Sequence, residues 1–515
     1  MSNQTSDNNK RIAKNTLLLY FRMLILLAVS LYTSRVVLNA LGVVDYGVYN
    51  VVGGVIVMLS SITGSLSGAS SRFITYALGK EDISLMRKTF GNVLFLHIIS
   101  AAIVLLLGET IGLWFVNTQL QIPVGRETAA FWVYQFSIFS SILAIISVPY
   151  NAAIIAHEKM SAFAYITIID AVLKLLVVYL IIALPFDRLI LYSGLYFLIQ
   201  IFDRVVYGIY CSRHFKETQS LSFKYDRIIF NKILSYSFWT LNGSLAVFGY
   251  TQGLNILLNI FFGPAVNAAR GIAVQVQSVC QQFCNNFQVA LNPQLTKSYA
   301  RGDFKYMHEL LVRSSKFSFF ILFFIALPLM FESQFVLKLW LGIVPSHTVI
   351  FLRLVLVIGL LFTLSNPVLT SVHATGQVKI FQIIEATMLL MIVPVAWCLL
   401  HFFGVAPETV FIVHIVIEIM TQIMRLFIVC PMIQLSKKIY LKYVVVPICK
   451  VVLLAPIIPY FVYRSMSQCG FIQFFLVCSV CVICLSLIIF FLGCTKAEQQ
   501  FIMRKINSIY IKVLK

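Results

Sequence analysis

Three arginines, Arg22, Arg35 and Arg270, stand inside otherwise apolar stretches with no acidic residue at helical spacing. A guanidinium stays charged and donates in pairs, so an uncompensated one inside a membrane helix is, by its chemistry, a phosphate site. Arg22 and Arg35 are 13 residues apart, which turns them about 140° from each other on a straight helix. Both face one cavity only if that helix bends or rotates. Amides form the second set. In "ARGIAVQVQSVCQQFCNNFQVALNPQL", Ser278, Gln281, Asn285, Gln288 and Asn292 step by 3, 4, 3 and 4 and share one arc of a helix. In the preceding apolar stretch Thr251, Asn255 and Asn259 recur at every fourth position. Amides donate and accept, which suits an array of sugar hydroxyls. As interhelical glue each would contribute only about 0.6 kcal/mol. So many on two adjacent segments point to a hydrated lumen, with Asn255, Asn259, Gln281, Asn285 and Gln288 as its lining.

Other polar groups in apolar stretches have local partners. Asp170 and Lys174 are four residues apart, Asp203 abuts Arg204, and Glu418 lies two turns before Arg425. The histidines are scattered singly, with no carboxylate or nucleophile at useful spacing. "CSVCVIC" has part of an iron–sulfur spacing but no fourth ligand nearby, so its cysteines read as small buried hydrophobes. Neither a P-loop nor a nucleotide fingerprint is present. No metal, cofactor or enzymatic chemistry is expected.

The elements that position these residues follow from composition. A mean hydropathy of +0.91 with 11% charged residues excludes a soluble domain. A bilayer core needs roughly 20 helical residues, and fourteen apolar stretches of that size run from 15 to 494. The fold class is an all-α polytopic membrane protein. The first stretch follows a polar N-terminus without a small-residue cleavage site, so it reads as a retained helix. The net charge of +20 is a topology signal rather than a nucleic-acid footprint. Most of the 39 Lys and Arg fall in alternate loops, which predicts cytoplasmic termini by the positive-inside rule. Only Arg126, Arg188, Lys338 and Arg464 lie in outer loops. Those loops are short, which leaves no room for a catalytic domain.

The halves repeat. "LNALG" ends the first span and "LNIFFG" the seventh; "TYALGKEDISLM" follows the second and "SYARGDFKYM" the eighth; "PYNAAIIAHEKM" closes the fourth and "PVLTSVHATGQV" the tenth. The shared offset of about 220 residues implies two six-helix lobes, related by an axis along the membrane normal. The expected division is 1–225, 226–440, two added spans in 441–495 and a basic tail in 496–515. That tail carries an apolar stripe between cations, the pattern either of a helix lying on anionic lipid or of a simple solvated tail. "LGVVDYGVYN" becomes the outer turn between the first two spans, with Asp45 capping the second helix. Within the second span Gly64 and Gly68 have the GxxxG spacing of close helix packing.

With "LGVVDYGVYN", the duplicated halves and the P…A…K pattern closing the fourth span, the chain resembles the bacterial polysaccharide (Wzx-type) flippases. These belong to the multidrug, oligosaccharidyl-lipid and polysaccharide exporter superfamily. The resemblance implies a V-shaped pair of lobes around a cationic cavity in the bacterial inner membrane. It implies alternating-access transport of an undecaprenyl-pyrophosphate-linked oligosaccharide for O-antigen, capsule or exopolysaccharide synthesis, with coupling to glycan polymerase machinery. Arg22, Arg35 and Arg270 would then meet pyrophosphate and the amides the glycan. The last two spans would correspond to the lipid-tail groove helices of the similar peptidoglycan lipid flippases. Two alternatives are a cation-coupled multidrug antiporter of the same superfamily and a membrane-embedded glycan polymerase or ligase.

Overall fold

A computed structural model of the chain describes residues 2–60, 63–118, 120, 122–219, 225–466, 470–500 and 503. Among them the regular structure is helical throughout, as it must be where lipid offers the backbone no hydrogen-bond partner. Among the described residues, twelve helices are long and apolar enough to cross a membrane. The two predicted spans outside that set are the eighth, whose amides lower its hydropathy, and the second, divided between the end of one helix and a 17-residue successor.

The chain forms two compact units. The first comprises 1–241 with 296–302, the second 242–295 with 303–515. In the first, α1 (Ser2–Ser60) carries a break at Gly42, where φ is +78°. It is followed by α2 (Thr63–Gly79), α3 (Ile83–Leu107), α4 (Leu113–Thr118), α5 (Glu127–Ala156), α6 (Met160–Ala183), α7 (Arg188–His214) and the short α8 (Lys216–Gln219). Phe90, Val93, Tyr150, Ala153 and Phe215 belong to one of its apolar cores, and Val52, Ile56, Val133, Tyr134 and Ile138 to another. α9 (Arg227–Phe262) begins in the first unit and α10 (Pro264–Arg301) returns to it for its last turn. There Gly79 allows the close approach: a Cβ on it would stand 2.8 Å from the Ala300 Cβ.

The second unit continues with α11 (Phe304–Phe331), α12 (Ser333–Leu341), α13 (Thr348–Thr375), α14 (Lys379–Leu390), α15 (Ile392–Phe403) and α16 (Thr409–Met432). It ends with α17 (Lys437–Tyr440), α18 (Val446–Leu454), α19 (Ile457–Ser465) and α20 (Phe471–Ile488). The last two predicted spans therefore belong to it. Lys316 of α11, buried, pairs with Glu498 at 2.6 Å and holds the start of the tail. Most of the predicted tail stripe, at 501, 502 and 504–515, lies outside the described residues.

The internal repeat has a backbone counterpart. Gly42 and Gly263 adopt φ of +78° and +80°, and Glu81 and Gly302 adopt +59° and +76°. The next residue after each of the latter, Asp82 and Asp303, caps a helix by accepting from first-turn N–H groups. All three pairs share one offset, so the weak sequence matches mark repeated turn and cap geometry.

Asp45 is engaged differently from the expected cap. Both its carboxylate oxygens accept from the Arg126 guanidinium, whose other nitrogen reaches Asp187 at 2.5 Å. One arginine thus fastens the Gly42 turn to the two neighbouring loops at the end predicted to face outward. Asp187 also caps α7 through the N–H groups of Leu189 and Ile190.

Candidate functional site

The amides of α10 separate by angle. At 100° per residue, Gln275, Ser278, Gln282 and Asn285 fall within about 80° of arc, and all four are exposed. Exposed amides at membrane depth would be costly against lipid. Asn259 of α9 is exposed as well. Gln281 and Gln288, expected in the lumen, are rotated off that arc and buried. Gln288 donates to the Ser318 hydroxyl at 3.1 Å and the Thr363 carbonyl at 3.3 Å, which makes it a tie from α10 to α11 and α13. Gln281 lies against Gly359, and both its amide atoms are buried without a partner. Spacing by 3 and 4 identified the stripe but not its phase, so Gln275 and Gln282 were missed.

Arg270 is 6% exposed and shares the buried edge of α10 with Gln288. Its guanidinium donates to the Asn255 side-chain oxygen and, at 3.3 Å, to the Thr251 carbonyl of α9; its Nε is buried without a partner. Among the described residues no carboxylate pairs with it. Asn255 therefore acts first as the holder of Arg270, and also donates to Gln252 at 3.1 Å.

In the first unit Arg22 Nε donates to the Thr167 hydroxyl at 2.6 Å, and its guanidinium lies 4.3 Å over the Phe163 ring. It too has no carboxylate partner among the described residues. The Arg35 side chain lies outside the described residues. Arg72, not singled out from the sequence, stands over Phe73, Tyr76 and Tyr236 at 4.3, 5.0 and 5.6 Å. Tyr49, the repeat counterpart of Arg270, packs edge-on to Tyr192 at 5.0 Å.

Gly64 and Gly68 are exposed, and a Cβ on either would meet nothing within 4 Å. Among the described residues no close helix packing runs through them.

Several other buried charges pair with one another. Arg425 donates to Glu385 at 2.7 Å and to Glu418 at 2.6 Å, with Ser365 and Gln422 completing the network. Asp170 pairs with Lys174 at 2.8 Å. Asp203 forms no ion pair with Arg204 among the described residues: its Oδ1 is buried without a hydrogen-bond partner, and Arg204 lies 4.2 Å over the Tyr150 ring.

No family model and no curated protein matches the sequence. Solved structures do match. A crystal structure of MATE in the bent conformation has TM-score 0.71 and 15% identity over 84% of this chain and 97% of that one. An outward-facing multidrug resistance MATE family transporter of the MOP superfamily has TM-score 0.69 and 14% identity over 82% and 96%. A MOP superfamily transporter from Pyrococcus furiosus, described as having a binding pocket of reverse polarity that suggests a different function, has TM-score 0.64 and 13% identity over 82% and 96%. At these identities the likeness shows the fold: the chain has the MATE transporter fold.

Proposed function

We propose that this protein is a flippase that carries undecaprenyl-pyrophosphate-linked oligosaccharide from the inner to the outer leaflet of a bacterial inner membrane by alternating access. Both termini would be cytoplasmic. The observation that carries the reading is the exposed amide arc of α10, together with the buried Arg270 on the same helix, which no described carboxylate pairs. Gln275, Gln282, Asn285 and Asn259 offer the glycan donors and acceptors at a depth where exposed polar groups need water. Arg270 and Arg22 supply fixed positive charge that no described carboxylate cancels, which favours a doubly charged pyrophosphate over a cationic drug. Arg270 is held by neutral oxygens, so an arriving phosphate need not displace an ion-pair partner.

The test is complementation of surface glycan in a bacterium lacking its own flippase. The parent chain restores the glycan; Arg270→Gln and Arg22→Gln, expressed to parent levels, each lose most of it. Unchanged export in both variants would remove the arginines from the mechanism. A second reading, a cation-coupled drug antiporter, is favoured by Asp203, whose Oδ1 is buried without a hydrogen-bond partner. Asp170 itself is paired with Lys174 at 2.8 Å, which leaves Asp203 as the carboxylate free to take a cation or proton. Under this reading cells gain resistance to cationic drugs, and Asp203→Asn abolishes it.

A further inference from the structure

The four cations predicted in outer loops are used differently. Arg126 is held by Asp45 and Asp187, Arg188 donates to the Ala40 carbonyl at 3.0 Å, and Arg464 donates to the Tyr460 hydroxyl at 3.1 Å. Lys338 of α12 is exposed and, among the described residues, has no partner. It borders a cavity of about 610 Å³ inside the second unit, lined also by Gln334, Ser346, His347 and Glu408.

The cavity has two chemical ends. Lys338, Ser346 and Gln334 bring donors from α12 and the loop after it. Glu408, at the start of α16, brings a carboxylate, held 2.5 Å from the His347 Nδ1. His347 sits at φ +67° at the start of α13, so the loop presents its ring to the cavity in a left-handed turn. Beside it α12 and the next loop expose Leu339, Trp340 and Ile343, the last 88% exposed. A Trp with apolar neighbours and a lysine on a short helix, between two spans, is the pattern of a segment at the boundary of headgroups and acyl chains.

We propose that this cavity binds the headgroup of a membrane phospholipid that carries both a phosphate and a primary ammonium, the phosphoethanolamine type. Lys338, Ser346 and the His347 ring meet the phosphate, Glu408 accepts from the ammonium, and the acyl chains lie along Leu339, Trp340 and Ile343. A purely anionic headgroup would leave Glu408 facing negative charge. A choline headgroup has no N–H to donate to it. A soluble phosphoethanolamine would leave the apolar rim in water. The site is independent of what the spans transport, since it uses none of the amides or arginines assigned to substrate.

The test is native mass spectrometry of the full-length protein in detergent, with dioleoyl phosphatidylethanolamine, phosphatidylcholine and phosphatidylglycerol at equal concentration and free phosphoethanolamine as a fourth arm. The ethanolamine lipid is retained in preference to the other three. Lys338→Gln lowers its binding about tenfold, as expected for loss of one charge-assisted contact, and Glu408→Gln removes the preference over phosphatidylglycerol. Lys338 has no described partner, so its replacement leaves the elution profile of the folded protein unchanged. Equal retention of the three lipids, binding of free phosphoethanolamine as tight as the lipid, or a Lys338→Gln variant that binds like the parent would each overturn the proposal.

Discussion

Arg425→Met tests the buried network of the second unit. Arg425 is 2% exposed and is the shared counter-charge of Glu385 and Glu418. Methionine fills much of the volume but leaves two carboxylates buried together with no cation. Breaking a buried ion pair from one side costs about 3–5 kcal/mol, which corresponds to a fall in Tm of about 10 °C. The assay is thermal unfolding of the purified protein in detergent. The loss arises from uncompensated charge rather than lost contacts. The triple variant Arg425→Met with Glu385→Gln and Glu418→Gln therefore recovers most of it, because amides can hydrogen-bond one another and Ser365. The reasoning is refuted if Arg425→Met melts within about 2 °C of the parent, or if the triple variant is no more stable than the single one.

Glycine positions separate open from packed helix faces: Gly68→Ala raises stability by about 0.5–1 kcal/mol, whereas Gly79→Ala, facing the Ala300 Cβ at 2.8 Å, lowers it by about 1–3 kcal/mol, both read as Tm. On α10, Gln282→Ala and Asn285→Ala reduce glycan export several-fold at unchanged Tm. By contrast Gln281→Leu, which removes two unpartnered buried atoms, leaves export intact and does not destabilise. At the predicted outer end, burial pushes the Asp187 carboxyl up, but the Ile190 N–H, the Arg126 guanidinium and the Leu189 N–H outweigh it and hold it below its ordinary value of 3.8. Its stabilisation is therefore present above that value and lost as pH falls through the lower native one. Asp187→Asn flattens this part of a Tm-against-pH curve.

What could be read from the sequence was what is local along the chain. Apolar length located the helices, and turns such as Gly42 and Gly263 appear as repeated words because each half needs the same left-handed residue. The Asp170–Lys174 and Glu418–Arg425 pairs were legible because their spacing is helical. Glu385 joins Arg425 across 40 residues, Arg126 joins Asp45 across 81, and Lys316 joins Glu498 across 182. Such partners are set by helix packing, which no spacing rule contains. The α10 stripe shows the same limit on one helix. A run of 3 and 4 steps defines an arc about 80° wide, but whether its edge is exposed or in the core depends on the neighbours. Hence Ser278 and Asn285 are exposed while Gln281 and Gln288 are buried. The reading of Asp45 as a cap missed Arg126 for the same reason, since that partner comes from a distant loop.

The central claim, that the substrate is a pyrophosphate-linked glycan lipid, is tested most directly in proteoliposomes. Purified protein is reconstituted with undecaprenyl-pyrophosphate-linked oligosaccharide, and the glycan reaching the opposite leaflet is measured by its accessibility to an added glycosidase. The account predicts glycan transfer well above protein-free vesicles, reduced to near background by Arg270→Gln. Protein that leaves the glycan lipid unmoved while exporting a cationic dye from the same vesicles would contradict it.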